Sequence, residues 1–525
     1  MKPKILALGL AAVLVVGGGA FALTRFMAPN EDAAVALVPR DAFAYASIFT
    51  DFSNGQKMAA DDLADKFGLD GAEDLIDKIT EALDEGLASQ GLTYDQDVDP
   101  WFGSQIAAFG VPPETEGEPV GAAVLFESED DEEAEAFVDK AREEDAEPLE
   151  EREHNGTTYR AGGADGSGDA FAVIGGFLVA GNETGVKSVI DSSAAGEGLE
   201  ESEKFTAAVE SLPDDWIAQF YVDSAAVLEA AAEGEPGAAE ALAFLGGEDQ
   251  PPAAGVFYVT SGSVVFETVG GIPEEGPLAS FGRIFSGSGV VAELPAQAWL
   301  AIGIPEIGEL FSGIIETFAG VPGLEGASLE EMFLAETGLS LEQDLLSWMG
   351  DAGLFVQGTN IQELGGGLMI ESTDAAKTRA TVGKLRELVE REGVPTRPEE
   401  RGGLEGFSVQ MPGVPGPIYL LGGERLVLSY GEAATEGAIS TEDTLGGSEG
   451  FQEATNDLGD DYQVGFYVDM DTVQTLVETF IGFSGQGSAT YEQDVKRYLD
   501  PIAHLVAGSR QEGDNYVQKF LIGVR

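Results

Sequence analysis

Apolar and polar positions along this chain follow two periods, and short turn signals separate the runs. Residues 170–174 and 177–180 are strand-like apolar runs, and Gly175-Gly176 between them permits the tight turn of a β-hairpin. Elsewhere apolar residues recur at helical spacing, as in the acidic segment that contains Ala134, Phe137, Val138 and Ala141. Strands joined by short turns and interleaved with helices predict an α+β fold with a largely antiparallel sheet and helices packed on one face.

The order of landmarks along the chain occurs twice. One block reads Asp214-Asp215-Trp216 and then Phe220-Tyr221-Val222-Asp223; it returns as Asp460-Asp461-Tyr462 and then Phe466-Tyr467-Val468-Asp469. The shift is 246 residues (460 − 214). An earlier block, Asp95-Gln96-Asp97 ahead of Trp101 and Gly103, matches Glu342-Gln343-Asp344 ahead of Trp348 and Gly350. This long repeat predicts two tandem homologous domains rather than a solenoid or a propeller.

Length supports the same organisation, because 525 residues exceed what one core usually supports. We expect a first α+β repeat at residues 36–270, a junction at 271–290 and a second α+β repeat at 291–525.

The N-terminus has the pattern of a membrane anchor. Lys2 and Lys4 precede an uncharged stretch at residues 5–23, close to the roughly 20 residues that span a hydrocarbon core. Positive charge before the span predicts a single-pass helix within residues 1–25, with the N-terminus in the cytoplasm, a linker at 26–35 and the rest outside. Ala20-Phe21-Ala22 leaves a cleaved signal peptide as the alternative.

Charge restricts the partners. Ninety-four acidic residues against 27 basic ones give a net charge of −67, which excludes nucleic acid as a partner and disfavours anionic lipid headgroups. The acidity indicates either halophilic adaptation of the surface or a cation-binding surface. There is no cysteine, so disulfides and thiolate chemistry are excluded.

Only weak signals for catalysis occur. Ser448 lies in a Gly-x-Ser-x-Gly pattern, but the sequence before it predicts a loop instead of the strand that a nucleophile elbow needs. The two histidines, His154 and His504, occupy different places in the two copies.

The acidic motifs favour structural roles. Asp95, Asp97 and Asp99 resemble the start of a calcium loop, but Pro100 and Ile106 stand where that loop needs glycine and glutamate. The pairs Asp214-Asp215 and Asp460-Asp461 precede buried aromatic residues and are typical of turns. Residues 162–168 are rich in glycine but match no phosphate-binding loop. We therefore predict no catalytic, cofactor-binding or metal site; weak divalent-cation binding by the surface stays open.

Together, the apolar N-terminus, Val38-Pro39 before a strand, the Trp101-x-Gly103 element and the Gly175-Gly176 hairpin resemble a family of bacterial exported proteins, domain of unknown function 3352. The resemblance implies a membrane-attached extracytoplasmic α+β protein and brings no activity, cofactor or catalytic residue.

We expect a non-enzymatic binding or scaffold protein of the cell envelope, attached to the cell membrane, whose partner is an envelope protein or a lipid-like ligand. The alternative is an extracytoplasmic hydrolase that uses carboxylates for acid/base chemistry without a recognisable motif.

Overall fold

The structure is a computed structural model that describes residues 30–68, 92–113, 119–142, 149–163, 168–227, 229, 251–270, 287–319, 329–360, 363–414, 416–484, 491, 495–513 and 515–525. These residues divide into two compact units, unit 1 before residue 271 and unit 2 after residue 286. The predicted anchor at 1–25 lies outside the described residues, as does most of the predicted junction. Within the described part of the chain, no helix is both long and apolar enough to span a bilayer.

Unit 1 is an α+β unit around an antiparallel sheet. Its strands are β1 (Ala44–Phe49), β2 (Phe102–Val111), β3 (Gly121–Ser128), β4 (Glu150–His154), β5 (Thr157–Ala161), β6 (Asp169–Ile174), β7 (Phe177–Asn182), β8 (Ala218–Val222), β9 (Ala253–Thr260) and β10 (Ser263–Gly270). They pair in the order β10-β9-β8-β1-β2-β3-β7-β6-β5-β4. The helices with described bounds are α1 (Asn54–Lys66), α2 (Asp131–Ala141), α3 (Glu183–Ala195) and α4 (Glu203–Val209).

Unit 2 has the same strand order. Its strands are β11 (Ala298–Ile304), β12 (Met349–Gln357), β13 (Gly365–Ser372), β14 (Thr396–Arg401), β15 (Leu404–Val409), β16 (Ile418–Gly422), β17 (Arg425–Tyr430), β18 (Gln463–Asp469), β19 (Ile502–Glu512) and β20 (Asn515–Val524). They pair, again antiparallel, in the order β20-β19-β18-β11-β12-β13-β17-β16-β15-β14. Its helices are α5 (Val290–Glu293), α6 (Ile307–Ala319), α7 (Leu329–Thr337), α8 (Ala375–Arg391), α9 (Glu432–Ile439), α10 (Glu449–Leu458), α11 (Met470–Ser484) and α12 (Lys496–Leu499).

The prediction that helices cover one face of each sheet is wrong for unit 2. A Cβ added at Gly422 of β16 would lie 2.8 Å from Cγ2 of Val382 in α8. On the opposite face, a Cβ added at Gly365 of β13 would lie 3.0 Å from Cβ of Ala434 in α9. The physical reason lies in the central strands: residues 426–427 of β17 are consecutive and both buried, so both sheet faces need cover.

Trp101 in unit 1 and Trp348 in unit 2 occupy matched places in the two cores. Trp101 is 2% exposed and Trp348 is fully buried. The indole Nε1 of Trp101 donates to the carbonyl oxygen of Asp97 at 2.7 Å, and that of Trp348 donates to Asp344 at 2.8 Å. The aspartates belong to single π-helical turns, Tyr94–Val98 and Leu341–Leu345. The two tryptophans therefore serve packing.

Candidate functional site

Ser448 is not held as a nucleophile. A single 3₁₀ turn, Leu445–Gly447, precedes it where a nucleophile elbow would have a strand, and α10 begins directly after it. Its Oγ donates to the carbonyl oxygen of Leu445 at 2.8 Å. The hydroxyl therefore closes the turn at the start of a helix, which agrees with the loop predicted from the sequence.

The two histidines lie in different surroundings. His154 ends β4, and its Nε2 lies 2.8 Å from Oδ2 of Asp191 in α3. His504 in β19 is 3% exposed, and its Nε2 lies 3.2 Å from Oδ2 of Asp457 in α10. Burial lowers the pKa of His504 despite the opposing field of Asp457 and Glu453, so the imidazole is neutral at pH 7.

The imidazole of His504 occupies space that a glycine leaves on the next strand. A Cβ added at Gly523 of β20 would lie 2.2 Å from Nε2 of His504. The ring therefore packs against backbone, and any larger residue at position 523 would displace it. We interpret His504 as a core residue, because it is 3% exposed and its ring lies against the backbone at Gly523.

Asp97 and Asp344, the last residues of the repeated Asp95-Gln96-Asp97 and Glu342-Gln343-Asp344 blocks, fix turns. Asp97 pairs with Lys140 of α2 and accepts the backbone N–H of Thr93 at 2.8 Å. Asp344 pairs with Lys384 of α8 at 2.7 Å and accepts the N–H of Ser340 at 3.0 Å. Burial opposes ionisation of Asp97, but the bonds from Lys140 and Thr93 outweigh it and lower its pKa.

The pKa of Asp344 is also lowered, here with a hydrogen bond from a lysine as the largest cause. The hydrogen bond from Lys384, followed by the N–H of Ser340, lowers the pKa of Asp344. Across the described ranges, no group of three or more histidine, aspartate or glutamate side chains is arranged to hold a metal ion. Weak cation binding by the acidic surface stays a prediction.

The paired aspartates lie in turns. The carbonyl oxygen of Asp215 accepts from Nε2 of Gln56 at 3.3 Å, and Trp216 next to it packs on Phe49 with ring centroids 5.1 Å apart. In unit 2 the N–H of Tyr462 donates to the carbonyl oxygen of Gly459 at 3.1 Å and closes the turn around Asp460-Asp461. The glycine-rich segment 162–168 lies partly outside the described residues.

A charged cluster that our sequence analysis missed occurs in both units. In unit 1, Glu183 at the start of α3 is 4% exposed. It accepts from Arg152 of β4 at 2.6 Å, from the hydroxyl of Tyr159 of β5 at 2.7 Å, and from Lys187 at 2.8 Å. The cluster ties the β4–β5 hairpin to α3 with a carboxylate that has a charged or hydroxyl donor on both oxygens.

The corresponding cluster in unit 2 keeps the arginine and the glutamate. Arg401 of β14 pairs with Glu432 at the start of α9 at 2.5 Å. Tyr419, which belongs to β16, also donates to Glu432. Arg401 bonds Glu399 two residues earlier at 3.2 Å, just as Arg152 approaches Glu150 in unit 1.

The electrostatics of both clusters stabilise ionised carboxylates. Burial alone would raise the pKa of Glu183, but the bonds from Lys187, Tyr159 and Arg152 outweigh it and lower the pKa to about 2. Hydrogen bonds from Tyr419 and then Arg401 lower the pKa of Glu432. Both carboxylates have a lowered pKa and are ionised and weakly basic at neutral pH, so neither glutamate is suited to general acid/base work.

A repeated signal for these clusters is present in the sequence. Residues 150–152 and 399–401 both read Glu-Glu-Arg, with a shift of 249 residues (401 − 152). Glu183 and Glu432 have the same shift of 249 (432 − 183). The pattern alone does not show that the arginine and the glutamate meet, because this depends on the register of strands that are far apart in sequence.

The family is established by a model that spans nearly the whole chain. The model described as "Protein of unknown function (DUF3352)" matches residues 5–522. The chain belongs to this family. The match confirms the resemblance that the motifs of this DUF3352 protein indicate.

Other comparisons add little. No curated protein matches this DUF3352 chain. The solved structure "Structure of crystal form III of TP0453" is 8% identical and covers 48% of this chain and 87% of its own, with a TM-score of 0.25. Crystal form I of TP0453 is also 8% identical and covers 46% and 78%, with a TM-score of 0.23. Likeness at this level carries no argument about fold or function.

Replacing Glu183 by glutamine tests the cluster in unit 1. The pKa of Glu183 is lowered from its ordinary value of 4.5 to about 2. Its ionised form therefore stabilises the folded state fully at pH values above 4.5. This contribution is lost as pH falls through the folded pKa. We expect Glu183→Gln to reduce the free energy of unfolding by about 2 kcal/mol at pH 7. The difference from the wild type should narrow between pH 4.5 and 2, as measured by urea unfolding.

The control for this measurement is Glu200→Gln, at an exposed glutamate of the same unit. It should change stability by less than about 0.5 kcal/mol at any pH. Equal effects of the two substitutions at pH 7 would contradict a structural role for the cluster.

Proposed function

We propose that this DUF3352 protein is a membrane-anchored extracytoplasmic protein that acts without catalysis, as a binding or scaffold protein of the cell envelope. One observation carries the proposal: the carboxylates of the candidate motifs are held by structural partners, in matched positions of both units. Asp97 and Asp344 fix turns, and Glu183 and Glu432 pair with arginines. Groups used in this way are not available for the acid/base chemistry of a hydrolase.

We further propose that residues 36–270 and 291–525 are homologous domains. The equal strand order supports this, and so do matched contacts outside the sheets. Pro39 forms an isolated bridge with Gly198, and Pro295 forms one with Thr444. Duplication of one ancestral unit explains these matched contacts more simply than independent origin of the two units does.

The proposed location rests on the N-terminal sequence. Two lysines before the uncharged stretch at 5–23 support a single span with the bulk of the chain outside the cytoplasm. Outside the cell, the net charge of −67 suits a salty environment, because screening removes the repulsion between carboxylates.

Cysteine labelling in intact cells tests the location. The natural chain has no cysteine, so a single Met58→Cys substitution gives one reactive thiol at a side chain that is 71% exposed. A membrane-impermeant maleimide should label this variant in intact cells. The control is Pro3→Cys, which lies before the span and keeps both lysines, and it should react only after the cells are permeabilised. Protection of position 58 in intact cells would defeat the proposed orientation.

Salt dependence of stability tests the interpretation of the acidic surface. We expect the melting temperature to rise by roughly 5 °C or more between 0.05 and 0.5 M NaCl, because the screening length falls about threefold over that range. A melting temperature that does not change with salt would show that repulsion between the carboxylates is already compensated by some other means, such as bound cations.

A further inference from the structure

Residues 30–38, which we call the entry segment, are fixed to unit 1 before its first strand begins. The side-chain Nδ2 of Asn30 donates to the carbonyl oxygen of Asp51, just past the end of β1, at 2.7 Å. At the other end of the segment, the carbonyl oxygen of Val38 accepts the backbone N–H of Leu199 at 2.8 Å. Val38 itself is fully buried. The entry segment is therefore part of the fold of unit 1.

A buried amide holds the middle of the entry segment. Gln105 of β2 is 1% exposed, and its Oε1 accepts the backbone N–H groups of Ala33 and Ala34 at 3.2 and 3.3 Å. Its Nε2 donates to the carboxylate of Asp32, and also to the hydroxyl of Ser47 in β1 at 2.8 Å. Detachment of the segment would leave this buried amide without partners for its oxygen, which costs free energy.

Unit 2 has the same kind of segment before its own first strand. Residues 288–294 precede β11, and the hydroxyl of Ser288 donates to a carboxylate of β12 at 2.5 Å. The carbonyl oxygen of Leu294 accepts the N–H of Leu445 at 2.7 Å, in the way that Val38 accepts an N–H in unit 1. Leu294 is also fully buried. A docked segment ahead of the first strand is thus a repeated feature of the fold.

The entry segment defines the end of unit 1 at which the chain enters. Asn30 lies beside Asp51, where β1 ends. The N–H of Phe43, just before β1, donates to the carbonyl oxygen of Gly110 near the end of β2 at 2.9 Å. The chain therefore crosses the length of the sheet once before β1 brings it back. We call the end that contains Asp51 the entry end; β2 and β8 begin there, and the turn at residues 261–262 lies there.

Helix α1 lies across the entry end. Near its start, Oε1 of Gln56 accepts the N–H of Val259, close to the end of β9, at 2.8 Å. At its last residue, Nζ of Lys66 donates to the carbonyl oxygen of Ser261 at 2.9 Å. Met58 of this helix is 71% exposed. A dye attached at position 58 therefore reports on the entry end without disturbing the core.

Chain length ties the entry end to the proposed anchor. Seven residue steps (30 − 23) separate the end of the uncharged stretch from Asn30. A chain of seven residues reaches at most about 25 Å. Strand β2 has ten residues and is roughly 33 Å long, which exceeds this reach. With the opposite end of the sheet turned towards a bilayer, Asn30 would lie too far from the membrane for the chain to connect them.

The charges at the entry end argue against lipid attraction as the cause of an orientation. Glu129, Asp130 and Asp131 follow β3 at this end, and all three are exposed. Anionic headgroups repel such carboxylates. The short connection to the entry segment, and not an affinity of the surface for lipid, would therefore hold this end close to the membrane.

We propose that the entry end of unit 1 faces the membrane at a distance of at most about 25 Å, and that the docked entry segment fixes this orientation. This inference rests on the proposed function, because it requires residues 5–23 to span the bilayer. It deepens that function by assigning the two ends of unit 1. The entry end meets the membrane surface, and the opposite end, where β3 begins and β7 ends, is turned towards envelope partners.

Energy transfer to labelled lipids tests the proposal. The chain has no cysteine, so Met58→Cys marks the entry end, and Val120→Cys, at a residue 37% exposed before β3, marks the opposite end. Each full-length variant carries a donor dye and is placed in phosphatidylcholine nanodiscs that contain lipid with an acceptor dye on its headgroup. We expect the transfer efficiency from position 58 to be at least roughly twice that from position 120, because the ends of the sheet lie about 30 Å apart.

Two insertions separate the entry segment from other causes. About 20 Gly and Ser residues inserted after Ala28 keep every contact of the entry segment but add a flexible coil of roughly 25 Å. Unit 1 can then turn freely, and the transfer efficiency from position 58 should fall to that from position 120. The matched control is the same insertion after Asn155, in the exposed turn between β4 and β5, which should change neither efficiency.

The outcomes distinguish the inference from the proposed function. Equal efficiencies from positions 58 and 120, or a higher one from 120, would overturn the inference and leave the anchor standing. A difference that survives the insertion after Ala28 would also overturn it, since the entry segment would then not set the orientation. A chain that does not elute together with the nanodiscs would contradict the proposed anchor, and the inference with it.

Discussion

The structure depends on pairing scarce cations with buried or half-buried carboxylates. Only 27 basic residues serve 94 acidic ones, so most carboxylates cannot each have a basic side chain of their own. The structure uses lysines where carboxylates fix the turns before the two core tryptophans. Lys140 holds Asp97 and Lys384 holds Asp344. Unpaired, a carboxylate as buried as Asp97, whose side chain is 7% exposed, would cost free energy or take up a proton.

The same pairing of a basic side chain with a carboxylate explains the clusters around Glu183 and Glu432, and why these carboxylates are not suited to catalysis. Arg152 and Arg401 reach from the outermost hairpin of each sheet to a glutamate at a helix start. A carboxylate there also interacts favourably with the N-terminal end of the helix dipole. These contacts fix the edge of the sheet to its helices and lower the carboxylate pKa. Catalysis by a general acid would need the opposite shift.

Several parts of the fold follow from local sequence, and others do not. The Gly175-Gly176 hairpin is confirmed, because both glycines have positive φ (59° and 81°) and Ile174 pairs with Phe177. A turn of this kind depends on neighbouring residues only, so the local sequence is enough to predict it. The two-sided burial of the sheet escaped prediction, because a short apolar run reads alike whether one or both of its faces are covered. The Arg152–Glu183 contact escaped because its partners are 31 residues apart and meet only through strand register.

A double-mutant cycle on Asp344 and Lys384 tests most directly whether the matched carboxylates serve structure. The variants Asp344→Asn, Lys384→Met and the double variant are compared with the wild type by urea unfolding at pH 7. A structural pair predicts a coupling free energy of about 1 kcal/mol, and a similar value for Asp97 and Lys140 in unit 1. Coupling near zero in both units would contradict the account, because the carboxylates would then be free for another role.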